Sequence, residues 1–180
     1  MARNRRHEDR QAKRDGIVDA ARRLFIEEGF EATAMSRLAS AAGVAPNTIY
    51  WYFKDKDEVL AAVLDAELAD GLDDYLRQRF ATIGERVLWV SDRLASLSGL
   101  VNTVHARVEI SETIRVLHDR FHAMTEGMLR VELINQGISA ERADALVKIC
   151  VFTVEGLLSH SLPVSQRKQI CEALVPAQTQ

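Results

Sequence analysis

The chain has 180 residues, 47% hydrophobic and 27% charged, with few Gly and Pro and a formal net charge of −3. The charge excludes a chain that is basic throughout, and the length allows a hydrophobic core without disulfides or metal ions. No apolar run is long enough to span a membrane, and no apolar segment follows the basic start. We therefore expect no membrane partner, no signal peptide and a cytoplasmic location.

Basic residues are concentrated at the start of the chain. The first 14 residues contain Glu8 and Asp9 against six basic residues, namely Arg3, Arg5, Arg6, Arg10, Lys13 and Arg14. A basic end on an otherwise acidic body suits a DNA contact at one pole. A solvated tail explains the run equally well.

Three helices are predicted before residue 54. Apolar residues recur at helical spacing, and glycines or a proline separate the segments. The first helix ends at Gly29, Gly43 ends the second, and Pro46 opens the third. The predicted buried positions are Ile17, Ala21, Leu24 and Phe25, then Met35, Leu38, Ala39 and Ala42, and finally Ile49 and Phe53.

Capping signals mark the later helices. Asp55 with Glu58 and Thr82 with Glu85 have the spacing of a capping box. Further helices are predicted to begin at caps and to end at Gly or Pro: one from Ser111 to Gly137, one from Ser139 to Pro163, and one from Ser165 to Pro176. These segments predict an all-α protein of nine helices.

The third helix has polar and aromatic side chains outside its predicted buried face. Such a short helix fits the major groove, where Asn, Thr and Arg hydrogen-bond base edges and aromatic rings touch thymine methyl groups. An exposed cluster of Tyr50, Trp51 and Tyr52 is otherwise difficult to explain on a soluble surface. The alternative is that these rings, Trp51 above all, pack against a neighbouring helix.

This segment resembles the DNA-binding domain of the tetracycline-repressor (TetR) family of bacterial transcription regulators. The resemblance covers about residues 10 to 60 and depends on matches at Gly29, Phe30, Thr33, Leu38-Ala39, Ala42-Gly43-Val44, Thr48-Ile49-Tyr50, Phe53 and Lys56. It implies a TetR-like fold with a helix-turn-helix domain at residues 1–56 and an effector-binding and dimerisation domain at residues 57–180. It also implies phosphate contacts by Thr33, Tyr50, Tyr52 and Lys56, and base contacts by Arg37, Asn47, Thr48 and Trp51. Ser36 and Pro46 complete the predicted DNA-binding set.

Two positions depart from the family pattern. Ala34 replaces the second Thr of a Thr-Thr pair, and Ala45 stands where the family usually has Ser or another capping residue. Both make the base-reading pattern difficult to transfer. In the C-terminal part, Val147 to Ser161 followed by Pro163 is loosely similar to the glycine betaine regulator-like (BetI-like) subgroup.

A homodimer is predicted from the helix between Ala143 and Leu162. This helix is apolar on nearly every side, so it must be covered on nearly every side, and a two-fold partner would cover what the single chain leaves open. The helix that begins at Ser165 would contribute to the same contact. The predicted interface residues are Leu146, Ile149, Phe152, Gly156, Leu157 and Ser159, with Ala143 permitting close approach.

Side chains of the middle helices could line an effector cavity, although aromatic and Met residues at helical spacing also form plain core. The predicted set is Trp89, His105, Arg107, Phe121, Met124, Met128, Phe152 and Glu155, in which Glu155 is a carboxylate that needs a partner in an apolar helix. His118 and His122 have a spacing that can bind zinc, but no third ligand is evident, so we predict no metal site and no cofactor. Cys150 and Cys171 are predicted to be reduced, buried thiols.

Together these features predict a sequence-specific, ligand-responsive regulator, a homodimeric repressor released from a palindromic double-stranded operator by a small-molecule effector. No nucleophile–base motif or phosphate-binding loop occurs, so we expect no enzymatic activity. Two alternatives stay open at this point. One is a helical ligand- or metal-binding protein without DNA affinity, and the other is an architectural protein that binds DNA without sequence preference.

Overall fold

The computed structural model describes residues 2–174, with side chains described from Asp9 onward. Within these residues there are nine α-helices and no strands, which confirms the predicted all-α class. Pro176 lies outside the described residues. The helices are α1 (Ala2–Glu27), α2 (Met35–Ala41), α3 (Pro46–Ile49), α4 (Lys56–Arg77), α5 (Ile83–Ser96), α6 (Ser98–Arg107), α7 (Glu112–Asn135), α8 (Ala140–Ser159) and α9 (Val164–Ala173).

The start of the chain differs from the predicted basic arm, because α1 already begins at Ala2. Residues 2–15 contain Ala, Arg, Gln, Lys and Glu but neither Gly nor Pro, so nothing in their local preferences ends a helix.

The chain divides into two compact units. The first runs to Asp73 and includes Gly99–His118, and the second comprises Asp74–Ser98 and continues from Asp119. Most of α6 and the start of α7 therefore pack with the N-terminal helices. The predicted domain boundary after residue 56 stays a prediction.

The first unit contains a helix-turn-helix built around Gly43. Gly43 has a φ of +67°, and the amide of Val44 donates to the carbonyl oxygen of Ala39 at 2.9 Å, while the amide of Gly43 donates to Ser40. This is a Schellman motif, which ends α2 and turns the chain into α3. Beneath the turn, α1 packs against α2 and α2 against α3. The predicted core positions that are buried include Ile17, Ala21, Leu24, Phe25, Leu38, Ala39, Ile49 and Phe53.

The second unit has its core between α5, α7, α8 and α9. Its buried residues are Ile83, Val87, Leu133, Ala143, Leu146, Val147, Cys150, Leu157 and Cys171. α5 approaches α9 so closely that a Cβ at Gly84 would lie 2.5 Å from the carbonyl oxygen of Cys171. Both cysteines are free thiols, and burial raises the pKa of Cys150 to about 11.

The predicted capping boxes are present. The amide of Glu58 donates to the Asp55 carboxylate at 2.9 Å, and that of Glu85 donates to the Thr82 hydroxyl at 3.1 Å. In both boxes the Glu side chain accepts from the residue before the cap, Lys54 and Ala81 respectively. These bonds fix the first turns of α4 and α5. Ser139 likewise caps α8, whereas α9 begins at Val164, one residue before the predicted Ser165.

Candidate nucleic-acid interface

Two buried side chains hold the third helix and the turn that follows it, and most of the other side chains are exposed. Ile49 and Phe53 are buried, as predicted, and α3 packs on α2 through this side. Asn47, Tyr50 and Trp51 are exposed, with Trp51 at 80% of its full accessible surface. The alternative in which Trp51 packs against a neighbouring helix of its own chain is therefore wrong. Pro46 is also exposed, and Thr48 and Tyr52 are half-buried.

The structure at the start of α3 reflects the absence of a capping side chain at Ala45. Ala45 supplies no side-chain cap, and Pro46 occupies the first turn. Pro is tolerated there because its missing N–H would have had no partner inside the helix. The helix is short, and Tyr50 to Tyr52 continue as a turn, so the aromatic residues lie at the end of α3 rather than along a longer helix.

The second helix adds polar side chains to this surface. Ser36 and Arg37 are both exposed. Arg37 donates to the Glu28 carboxylate at 2.8 Å, and this hydrogen bond raises the pKa of the guanidinium. Because the pair lies at the surface, its net stabilisation is small and Arg37 can exchange Glu28 for another acceptor.

The predicted phosphate contact by the Thr33 side chain is wrong for this structure. Thr33 is fully buried, and its hydroxyl donates to the carbonyl oxygen of Gly29 at 2.8 Å. This bond secures the turn between α1 and α2, where Gly29 has a φ of +87°. Thr33 therefore stabilises the turn before α2 from the interior of the domain.

Lys56 has a structural contact that the sequence did not indicate. Its ammonium donates to the carbonyl oxygen of Phe30 at 2.8 Å and lies 4.2 Å from the centre of the Phe30 ring. The start of α4 is thus attached to the turn after α1. The predicted phosphate contact by Lys56 stays a prediction, since an ammonium has three donors and this one is only half-buried.

Arg107, which was predicted to line an effector cavity, is paired with a carboxylate, and its contact with an effector stays a prediction. In the first unit its guanidinium donates to both carboxylate oxygens of Asp57, at 2.5 and 2.8 Å, and lies 5.0 Å from the centre of the Phe30 ring. A carboxylate oxygen of Glu31 also lies 3.5 Å from Nη1 of the Arg107 guanidinium. Burial raises the pKa of Asp57, but hydrogen bonds from Arg107 and Ser111 outweigh it, so the pKa is lowered.

Comparison with known proteins identifies the segment that contains this surface. Residues 17–63 match the family model of bacterial regulatory proteins, tetR family. Over these residues the chain is similar to that family. The TetR-family match covers α2, α3 and the connection to α4, where the exposed side chains described above are located.

Two similar proteins are regulators. The chain is 24% identical to the fatty acid metabolism regulator protein of Bacillus subtilis over 130 residues, which cover 69% of this chain and 67% of that protein. It is 41% identical to the transcriptional regulator AcrR of Shigella flexneri over 63 residues, or 35% of this chain and 29% of that one. The chain thus matches about two thirds of the first relative's length and less than a third of the second's.

Solved structures of transcriptional regulators share the fold. A transcriptional regulator from Rhodococcus has a TM-score of 0.73 at 17% identity, covering 89% of this chain and 92% of that one. A regulator from Saccharomonospora viridis in complex with choline has a TM-score of 0.73 at 18% identity, covering 91% and 95%. At these identities the likeness establishes the TetR-like fold. The BetI-like similarity of the C-terminal part stays a prediction.

The predicted effector set is divided between the two units. Arg107 and an exposed His105 lie in the first, with the His105 ring 6.0 Å from that of His118. In the second unit, Phe152 and Glu155 are exposed on α8, so Glu155 is solvated and the reason for assigning it a ligand or a buried partner no longer holds. Four of the predicted residues in that unit are half-buried: Trp89, Phe121, Met124 and Met128.

The predicted dimer set requires a similar correction. Leu146 and Leu157 are buried in the core of the second unit, together with Ala143, so they cannot supply an exposed contact. The period of α8 places them on the side that packs against α5. The remaining four face outward to different degrees: Ile149, Phe152 and Ser159 are exposed, and Gly156 is half-exposed.

The described part of the chain contains neither a metal-binding cluster nor a membrane-spanning helix. Among residues 9–174, whose side chains are described, there is no group of three or more His, Cys, Asp or Glu side chains placed to hold a metal ion. Over the same residues, no helix is both long and apolar enough to cross a membrane.

The cluster of Phe30, Asp57, Lys56 and Arg107 was missed by sequence reasoning. Asp57 and Arg107 are 50 residues apart, and Asp57 looked like an ordinary acidic residue in the first turn of a helix. The match at Phe30 and Lys56 was noted, but the pattern gives no sign that the two touch.

Proposed function

We propose that the protein is a sequence-specific transcription regulator whose α2 and α3 bind the major groove of double-stranded DNA. The observation that supports this most strongly is the exposed Trp51 beside Tyr50, at the end of a short helix whose other side is fixed by Ile49. Exposed aromatic groups on a rigid helical support suit contact with bases and sugars. The match to the tetR family over residues 17–63 supports the same function.

Each side chain of this surface has a proposed role. Asn47, Thr48, Arg37 and Trp51 contact base edges, because amide, hydroxyl, guanidinium and ring groups match the donors, acceptors and methyl groups in the major groove. Phosphate contacts hold the module in position without reading sequence. We assign these to Ser36, Tyr50, Tyr52 and Lys56, with Pro46 setting the start of α3.

The regulator is proposed to act as a homodimer on a palindromic operator. Ile149, Phe152, Gly156 and Ser159 follow at intervals of three or four residues and so form one outward stripe on α8. Val164 and Ile170 of α9 are exposed apolar side chains in the same unit. A two-fold contact through these helices gives two recognition helices, which suits half-sites about one helical turn apart.

A small-molecule effector is proposed to release the repressor from its operator. Trp89, Phe121, Met124 and Met128 in the second unit are the remaining candidates for ligand contact. The structures of other regulators with choline and with imidazole concern those proteins, and they support the general idea of a small ligand without naming this one. The ligand must bind the DNA-free geometry more tightly than the DNA-bound one.

The bond between α6 and α4 offers a route for this response inside the first unit. Arg107, at the end of α6, holds Asp57 in the first turn of α4, and the same guanidinium lies over the ring of Phe30 before α2. A displacement of α6 would therefore act on the base of the helix-turn-helix.

Selection from a pool of random duplexes tests the proposed function. The full-length protein should enrich an inverted repeat, and Asn47→Ala should fail to enrich the same bases. Retention of DNA without enrichment would indicate an architectural protein, and failure to retain DNA would indicate a helical ligand-binding protein. Either of these two results would overturn the proposal.

A further inference from the structure

One face of α1 changes from basic to apolar along its length. Ile17, Ala21 and Leu24 are buried and follow at intervals of three or four residues. Toward the N-terminus the same intervals lead to Lys13 and Arg14, and then to Arg10. Because α1 is continuous from Ala2 to Glu27, these basic residues extend the face that packs on the helix-turn-helix.

Contacts place this basic face beside the proposed recognition surface. The guanidinium of Arg14 lies 5.2 Å from the centre of the Phe53 ring, just after α3. Lys13 lines an open cleft together with Ala42 and Val44, which flank Gly43 in the turn between α2 and α3. The basic face therefore lies on the helix-turn-helix side of α1.

The absence of an ion pair among the described side chains distinguishes Arg10 and Lys13 from three arginines of the first unit. Arg22, Arg37 and Arg107 are each paired with a carboxylate, from Glu67, Glu28 and Asp57 respectively. Within the described residues, neither Arg10 nor Lys13 has an ion-pair partner.

Acidic side chains of α1 only partly oppose this charge. Asp9 lines the same cleft as Lys13, but three basic side chains against one carboxylate leave a net positive face. Asp15 instead accepts a hydrogen bond from Gln11 at 2.8 Å, and the helical period places it on another side of α1.

We propose that Arg10 and Lys13 form a second DNA contact, in which they bind backbone phosphates next to the bases contacted by α3. This inference depends on the proposed DNA-binding function. Cations without acidic partners beside a helix-turn-helix are matched in charge by a phosphate backbone. Such contacts raise affinity for every sequence and leave the choice of bases to α3.

The test compares the double variant Arg10→Ala/Lys13→Ala with Arg23→Ala. Arg23 is also an exposed basic residue of α1, but it lies on another side of the helix, so it controls for loss of net charge. Binding is measured by fluorescence anisotropy over a range of salt concentrations, on the enriched operator and on a scrambled duplex. Alanine favours helix, so α1 should remain folded.

For two lost phosphate contacts, the slope of log K against log salt should become shallower by about 1.8 on both duplexes. The preference for the operator over the scrambled duplex should stay the same. Arg23→Ala and the charge-conserving Arg10→Lys/Lys13→Arg should keep the wild-type slope.

Two failures can be told apart. If the wild-type protein binds its operator and the double variant keeps the same slope, the second contact is refuted and the proposed function stands. If the wild-type protein binds no duplex at all, the proposed function itself fails, and this inference fails with it.

Discussion

Arg107 holds Asp57 with two hydrogen bonds from one guanidinium, Nε to Oδ1 at 2.5 Å and Nη2 to Oδ2 at 2.8 Å. Both side chains are mostly buried, with 23% and 15% of their surfaces exposed. The paired geometry joins the end of α6 to the first turn of α4. A guanidinium and a carboxylate in this arrangement form one of the stronger polar contacts available to a protein.

Arg107→Ala should lower the free energy of unfolding by about 1–3 kcal/mol, because it leaves the carboxylate of Asp57 without its main partner. Urea denaturation at pH 7 measures the change. Arg23→Ala, which removes an exposed arginine from the same unit, should stay within about 0.5 kcal/mol of wild type. Equal stability of the two variants would show that the pair contributes nothing.

The same pair predicts a pH dependence. The pKa of Asp57 is lower in the folded protein than in the unfolded chain, so the pair stabilises the fold above the unfolded value of about 3.9. That stabilisation is lost as pH falls through the folded pKa. The difference between wild type and Arg107→Ala should therefore shrink below about pH 4. A difference that stays constant down to about pH 2 would contradict this assignment.

Alanine substitutions at Gly84 and Gly127 should have opposite effects on the stability of the protein. A Cβ at Gly84 would lie 2.5 Å from the Cys171 carbonyl oxygen, so Gly84→Ala must separate α5 from α9 and should cost about 1–3 kcal/mol. Gly127, inside α7, has no atom within 4 Å of the added group, and Gly127→Ala should stabilise by about 0.5–1 kcal/mol. Thermal unfolding of both variants measures the contrast. Destabilisation by both would mean that helix packing at Gly84 is not the cause.

Substitutions at Trp51 and Ile49 should separate effects on DNA binding from effects on stability. Trp51→Ala should change stability by less than about 0.5 kcal/mol because the side chain is exposed, but it should weaken operator binding. Ile49→Ala empties a fully buried position and should cost about 2–5 kcal/mol. Chemical denaturation and anisotropy on the same preparations make the comparison. A stability loss in Trp51→Ala as large as that in Ile49→Ala would mean that Trp51 is a core residue.

The helices and their caps were predictable because their determinants are local. Asp55 with Glu58 and the glycine at 43 act within a few residues, and the sequence shows them directly. The orientation of individual side chains was harder to predict. Thr33 is a polar residue in a turn, and only the three-dimensional structure reveals that its hydroxyl faces Gly29 rather than solvent.

Other features of the structure depend on packing between segments that are distant in sequence, so they were not predicted. The all-round apolar character of α8 predicted that the helix is covered, but it did not say which side α5 would cover. Leu146 and Leu157 were therefore assigned to a partner when they belong to the core. The Arg107–Asp57 pair joins residues far apart in sequence, and no local pattern marks it.

The exposed stripe of α8 makes the dimer testable. Ile149→Glu/Phe152→Glu should yield a monomer, since two carboxylates at a two-fold apolar contact would be buried next to their own copies. Sedimentation velocity measures the mass. Leu76→Glu, which adds a charge at another exposed apolar residue in the same unit, should leave the dimer intact. A dimer that survives the double substitution would assign the interface to another surface.

Specific DNA binding is the central claim, and the ratio of affinities for the enriched operator and a scrambled duplex tests it most directly. Measured at one fixed salt concentration near 0.15 M, wild type should prefer the operator by about 10³-fold or more. Asn47→Ala should lose much of that ratio while its affinity for the scrambled duplex and its stability stay near wild type. Equal affinity of the wild-type protein for both duplexes would contradict the account.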